Sequence, residues 1–89
     1  MSNSAAAAGS RVFITGAANG IGAALARLCL GAGHRVVAAD VDTEGLDRLH
    51  AELPAIDTAV LDVRELAAWT RVADEVETEG GPIDVLVNN

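Results

Sequence analysis

Residues 15–22 read Thr15-Gly16-Ala17-Ala18-Asn19-Gly20-Ile21-Gly22, between the apolar run Val12-Phe13-Ile14 and a segment with helical spacing. The stretch therefore joins a strand to a helix. A turn with glycines at 16, 20 and 22 lets backbone N–H groups approach a pyrophosphate, and the helix start adds partial positive charge. Gly22 also lets the helix pack close on the strand. Ala18, Asn19 and Ile21 complete the candidate loop. The plain alternative is an ordinary glycine-rich turn. A phosphate loop of the nucleoside-triphosphatase kind is excluded, because it needs a Lys and the chain has none.

Working outward, four short apolar runs recur: Val12 to Ile14, Val36 to Ala39, Thr58 to Leu61 and Val85 to Val87. They are continuous, not alternating, which predicts strands buried on both faces of a parallel sheet. Three helical stretches separate them. Ile21, Ala24, Leu25, Leu28 and Cys29 predict the buried face of the first, which can end at Gly31 or Gly33. Leu46, Leu49 and Leu53 mark the second, stopped by Pro54. Leu66, Trp69, Val72, Ala73 and Val76 mark the third, closed by Gly80-Gly81-Pro82. The order β-α-β-α-β-α-β predicts an α/β fold, a Rossmann-type open parallel sheet with strand order 3-2-1-4. Strand four is then an uncovered apolar edge, and the sheet is truncated after it. Residues 1–10 are expected to be a flexible tail, and residues 11–89 one partial dinucleotide-binding domain.

Two carboxylates fall at strand ends. Asp40 closes the second strand, 18 residues after Gly22, where it can accept both hydroxyls of an adenosine ribose and repel a 2′-phosphate. Val41 and the loop residue Asn19 carry no charge, which favours NAD over NADP. Alternatively, Asp40 or Asp42 caps the second helix. Asp62 ends the third strand, where it could accept from an adenine amino group with the Val63 N–H facing a ring nitrogen. Asp62 and Glu65 read equally well as a capping box. His34, His50 and Cys29 lack partners at ligand spacing, so no metal site is expected. Cys29 and Trp69 are expected in the core, and Glu75, Glu77 and Glu79 on a solvated helix end.

Composition narrows the classes further. Among the 89 residues, 13 are acidic and 6 basic, giving a net charge of −7, and every basic residue is Arg. Nucleic acids and anionic membranes both need a cationic footprint, so neither is an expected partner. No apolar run approaches the ~20 residues of a membrane span. The first ten residues lack the basic start and apolar stretch of a secretory signal. A single cysteine fits a reducing compartment, so a cytoplasmic protein is expected. With no Tyr and no Lys, mechanisms that need a phenol or an ammonium cannot be run by these residues.

Taken in order, Thr15-Gly16-x-x-x-Gly20-x-Gly22, Asp40, Asp62-Val63 and Leu86-Val87-Asn88-Asn89 resemble the N-terminal half of a short-chain dehydrogenase/reductase. The resemblance covers residues 11–89. It implies that the glycine loop holds the pyrophosphate, that Asp40 selects NAD, and that Asp62-Val63 contacts adenine. It also implies that Asn88-Asn89 open an Asn-Asn-Ala-Gly segment, with Asn89 near the nicotinamide-side ribose. The family's catalytic Ser, Tyr and Lys lie beyond strand four, so no catalytic residue is expected here. The implied function is the N-terminal fragment of a NAD(H)-dependent oxidoreductase acting on an alcohol or carbonyl substrate, a homo-oligomer when intact. A non-catalytic NAD-binding module or a non-functional remnant is the alternative.

Overall fold

The computed structural model describes residues 9–89. Four strands, β1 (Arg11–Thr15), β2 (Arg35–Asp40), β3 (Asp57–Val60) and β4 (Val85–Val87), alternate with three helices. The helices are α1 (Gly20–Gly31), α2 (Thr43–Glu52) and α3 (Leu66–Gly80). The strands form one sheet in the order β3-β2-β1-β4, with every pair parallel. The strand order and the α/β class are as the sequence predicts. Residues 1–8 of the expected tail lie outside the described residues. Gly9 N–H donates to Gly33 O at 3.1 Å, and Ser10 O accepts from Arg35 N–H at 2.9 Å.

The pleat of β1 and β2 divides the core in two. Val12, Ile14, Val36 and Ala38 point to one face, where Ala26 of α1 and Leu46 and Leu49 of α2 cover them. Phe13, Val37 and Ala39 point to the other, under Ala68, Val72 and Val76 of α3. Helices on both faces follow from right-handed crossovers, because the chain reverses its direction across the sheet after β3. Cys29 and Trp69 pack half-buried against these two clusters, and the Trp69 ring lies 6.0 Å from that of Phe13.

Three expectations about burial are corrected. On α1 the face against the sheet is Gly22, Ala23 and Ala26, whereas Ile21 and Leu28 are 79% and 70% exposed. The reason is close approach: a Cβ on Gly22 would stand 2.1 Å from Gly16 O. Only small residues fit that seam, and Leu25, Cys29 and Leu30 pack at its rim. On α3, Leu66 is exposed and Ala68 takes the buried place. Only β1 and β2 are buried on both faces. Val60, Val85 and Leu86 are exposed, since β3 and β4 have a neighbour on one side alone.

At the N-terminal end of the sheet, β1 and β2 begin with Arg11 and Arg35, which are partners in register. Arg11 is 3% exposed, and its Nη1 donates to Val76 O and Gly81 O, each at 2.6 Å. Arg35 Nη2 donates to Gly80 O. The two guanidinium groups thus give donors to Gly80 O and Gly81 O, which follow the last helical hydrogen bonds of α3, and a second donor to Val76 O, and both complement the helix dipole.

Candidate functional site

The strand order places the chain's reversal point between β1 and β4, and the carboxyl ends of all four strands share one rim. Open α/β sheets bind ligands in the crevice at such a rim. Here the crevice is a cleft of about 230 Å³. It runs from Gly16 and Asn89 past Asp40 and Val41 to residues 61–64. A larger cleft of about 380 Å³ lies at the opposite end, against Arg11, His50 and Asp57. Its buried cation is already committed to the carbonyls of α3, so the smaller cleft is the better candidate.

The glycine loop forms one wall. Gly16 and Gly20 have φ of +64° and +58°, a region that only Gly enters without strain. A Cβ on Gly16 would meet Asn89 Nδ2 at 3.0 Å, whereas one on Gly20 would meet nothing within 4 Å. The space above Gly20 is therefore open. α1 begins there with Asn19 as N-cap, and the Asn19 side chain makes no capping hydrogen bond. Instead its Nδ2 donates to Asp42 Oδ2 at 2.8 Å. The helix thus presents its first N–H groups uncapped, next to a loop with room for an anion.

Asp40 joins this wall to the next. Its Oδ2 accepts from Ala18 N–H at 3.0 Å, and its Oδ1 accepts from Asp42 N–H at 3.1 Å. Each oxygen keeps a free lone pair. Capping of α2 falls to Asp42, whose side chain accepts from Gly45 N–H at 3.0 Å. That bond, followed by the one from Asn19, lowers the Asp42 carboxyl below its ordinary range. Asp40 is thereby free of the capping role.

Asp62 is engaged in a way its spacing to Glu65 does not indicate. The capping box of the alternative reading is absent: Glu65 is the N-cap of α3, and its side chain makes no capping hydrogen bond. Asp62 instead takes Arg64 Nε on Oδ1 at 2.9 Å and Arg64 Nη2 on Oδ2 at 2.8 Å. Arg64 N–H also donates to Oδ1, at 3.0 Å. The local turn thus competes successfully with the cap. These contacts, the side-chain ones first, hold the Asp62 carboxyl down at about 2. Val63 exposes its side chain on the same rim, while its carbonyl accepts from Trp69 Nε1 at 3.0 Å.

Asn89 closes the far end. Its N–H donates to Thr15 Oγ1 at 3.0 Å, and its Nδ2 donates to Gly16 O at 3.2 Å. The Thr15 hydroxyl in turn donates to Asn88 Oδ1 at 3.1 Å. The structure therefore brings Gly16, Asp40, Asp62, Val63 and Asn89 to one cleft. Ala18, Asn19 and Gly20 line a neighbouring groove between α1 and α2. Ile21 points outward, and Gly22 lies beneath Gly16. Sequence reasoning misses Thr15 as a tie between β1 and β4, and Arg64 as the partner of Asp62. An Arg two residues after an Asp at a strand end is the signal that could have found the second.

The comparisons with known proteins agree with this geometry. The family model for short chain dehydrogenase matches residues 10–89. The chain is 40% identical over 84 residues to 2,3-dihydro-2,3-dihydroxybenzoate dehydrogenase of Bacillus subtilis, covering 90% of this chain and 32% of that protein. It is 44% identical over 80 residues to 2-keto-3-deoxy-L-fuconate dehydrogenase of Xanthomonas campestris, covering 90% and 25%. A solved gluconate 5-dehydrogenase from Burkholderia cenocepacia, in complex with NADP and tartrate, superposes with a TM-score of 0.80. That pair is 38% identical over 89% of this chain and 32% of the other. The chain thus spans a third or less of the length of these relatives. The strand order, the glycine loop at its reversal point and a family match over almost every described residue lead to one conclusion. The chain belongs to the short-chain dehydrogenase family.

Proposed function

We propose that these residues form the cofactor-binding part of a NAD(H)-dependent oxidoreductase acting on a small alcohol or carbonyl compound. The observation that carries this is the uncapped start of α1, in an open glycine loop whose Ala18 N–H is bonded to the Asp40 carboxylate. An anionic pyrophosphate suits the free N–H groups, and a ribose diol suits the remaining lone pairs of Asp40. The residues present fit the group. Gly16, Ala18, Asn19, Gly20, Ile21 and Gly22 would hold the pyrophosphate, Asp40 the adenosine ribose, Asp62 and Val63 the base, and Asn89 the second ribose. NAD supplies the hydride chemistry when bound.

The preference for NAD over NADP rests on charge. A 2′-phosphate at Asp40 would meet a carboxylate, with uncharged Val41 next to it and Asp42 capping α2 close by. The 89 residues contain no Tyr or Lys, so they do not themselves supply proton transfer by a phenol. Such a protein would be cytoplasmic, in keeping with an unpaired Cys29, and a homo-oligomer. No helix among the described residues is long and apolar enough to cross a membrane. Calorimetric titration with NAD and NADP tests this reading.

A further inference from the structure

We infer that Arg64 is a positioning residue that sets the site's choice of base, by fixing the Asp62 carboxylate so that it keeps a single acceptor position for an exocyclic amine. The inference rests on the NAD reading above, and it concerns a residue that reading does not use.

A carboxylate offers about four lone-pair positions. Arg64 takes both on Asp62 Oδ1, through its N–H at 3.0 Å and its Nε at 2.9 Å. It takes one on Oδ2, through Nη2 at 2.8 Å. One position on Oδ2 remains. A 6-amino purine can donate to it, whereas a 6-oxo purine would place a second acceptor against it. The bidentate fork also stops the carboxylate from rotating, so the remaining position has a fixed direction.

The backbone beneath is held separately, because Val63 O accepts from Trp69 Nε1. Removing the Arg64 side chain therefore leaves the turn and the Arg64 N–H bond to Oδ1 in place, and removes only the fork that fixes the carboxylate's direction. Charge supports the same role. Asp40 and Asp62 both line this cleft, and Arg64 is the only cation on its walls among the described residues. Without that cation, two carboxylates would face a dinucleotide that is itself anionic. The competing view is that an Arg whose side chain is 85% exposed merely solvates the surface.

The full-length protein, unmodified and as Arg64→Met and Arg64→Lys, is titrated with NAD and with nicotinamide hypoxanthine dinucleotide, while circular dichroism monitors folding. The unmodified protein is expected to favour NAD by about tenfold, the loss typical of one hydrogen bond to a charged group. Arg64→Met should bring the two dissociation constants within about twofold, and Arg64→Lys, which keeps the charge but loses the fork, should fall between. An Arg64→Met protein that is folded, binds NAD and keeps the tenfold preference would overturn the inference and leave the NAD reading standing. An unmodified protein that binds both analogues equally would also overturn it. If the unmodified protein binds neither, the NAD reading itself fails and the inference with it.

Discussion

The Asp40 carboxylate, at the end of β2, accepts the N–H of Ala18 in the glycine loop at 3.0 Å, across 22 residues of sequence. The residue that would choose between two cofactors thus also shapes the loop that would bind their common pyrophosphate. Replacing it should have two separable effects. Asp40→Ala should remove most of the discrimination against NADP, read as the ratio of the two dissociation constants. It should also lower stability by about 1–2 kcal/mol, because the N–H groups of Ala18 and Asp42 lose an acceptor. An unchanged ratio would mean that Asp40 plays no part in specificity.

Gly22 is required by space alone. Its added Cβ would stand 2.1 Å from the backbone oxygen of Gly16 and 2.8 Å from the Asn89 Nδ2 that donates to that oxygen. Gly22→Ala should cost about 2–4 kcal/mol, or prevent folding, as overpacking against backbone does. Gly31→Ala is the control, since nothing lies within 4 Å of its Cβ. Its thermal midpoint should equal or exceed that of the parent.

Arg11 should matter more to stability than its charge suggests. In an Arg11→Leu protein, Val76 O and Gly81 O lose a buried donor. The expected loss is about 2–3 kcal/mol in urea unfolding. Arg35→Leu removes an exposed donor to Gly80 O and should cost less than about 1 kcal/mol.

The pair Asp62–Arg64 has a pH signature. The Asp62 carboxyl sits at about 2 in the folded chain, below its ordinary 3.8, chiefly because of the Arg64 side chain. A lowered folded-state value adds stability above the unfolded value, and that stability is lost as pH falls from about 4 towards 2. Arg64→Met should therefore be less stable than the parent at neutral pH, and the gap should close across that window. A gap that stays constant from pH 7 to pH 2 would mean that the pair does not contribute.

Much of the fold is legible in the sequence. The four apolar runs mark the strands, and their separation by helices implies the parallel order, because crossover geometry leaves few choices. The glycine loop and Asp40 are legible because turn chemistry and strand ends carry local signals. What escapes is decided by tertiary contact. The buried face of α1 goes to Gly22, Ala23 and Ala26, since the seam against Gly16 admits no larger residue, and hydrophobic spacing gives most weight to large residues. The capping box at Asp62 and Glu65 loses to Arg64, whose competition cannot be read from two acidic positions. Arg11 carries no local sign of burial, and only the end of α3 folding back over β1 makes it a buried donor.

The central claim is that the cleft at the carboxyl ends of the strands binds NAD and discriminates against a 2′-phosphate. Isothermal titration of the full-length protein with NAD and then NADP, at one ionic strength, tests it most directly. Saturable binding of NAD is predicted, with NADP weaker by at least about tenfold, the effect of about 1.4 kcal/mol of charge repulsion. NADP binding as tightly as NAD, or no binding of either, would contradict it.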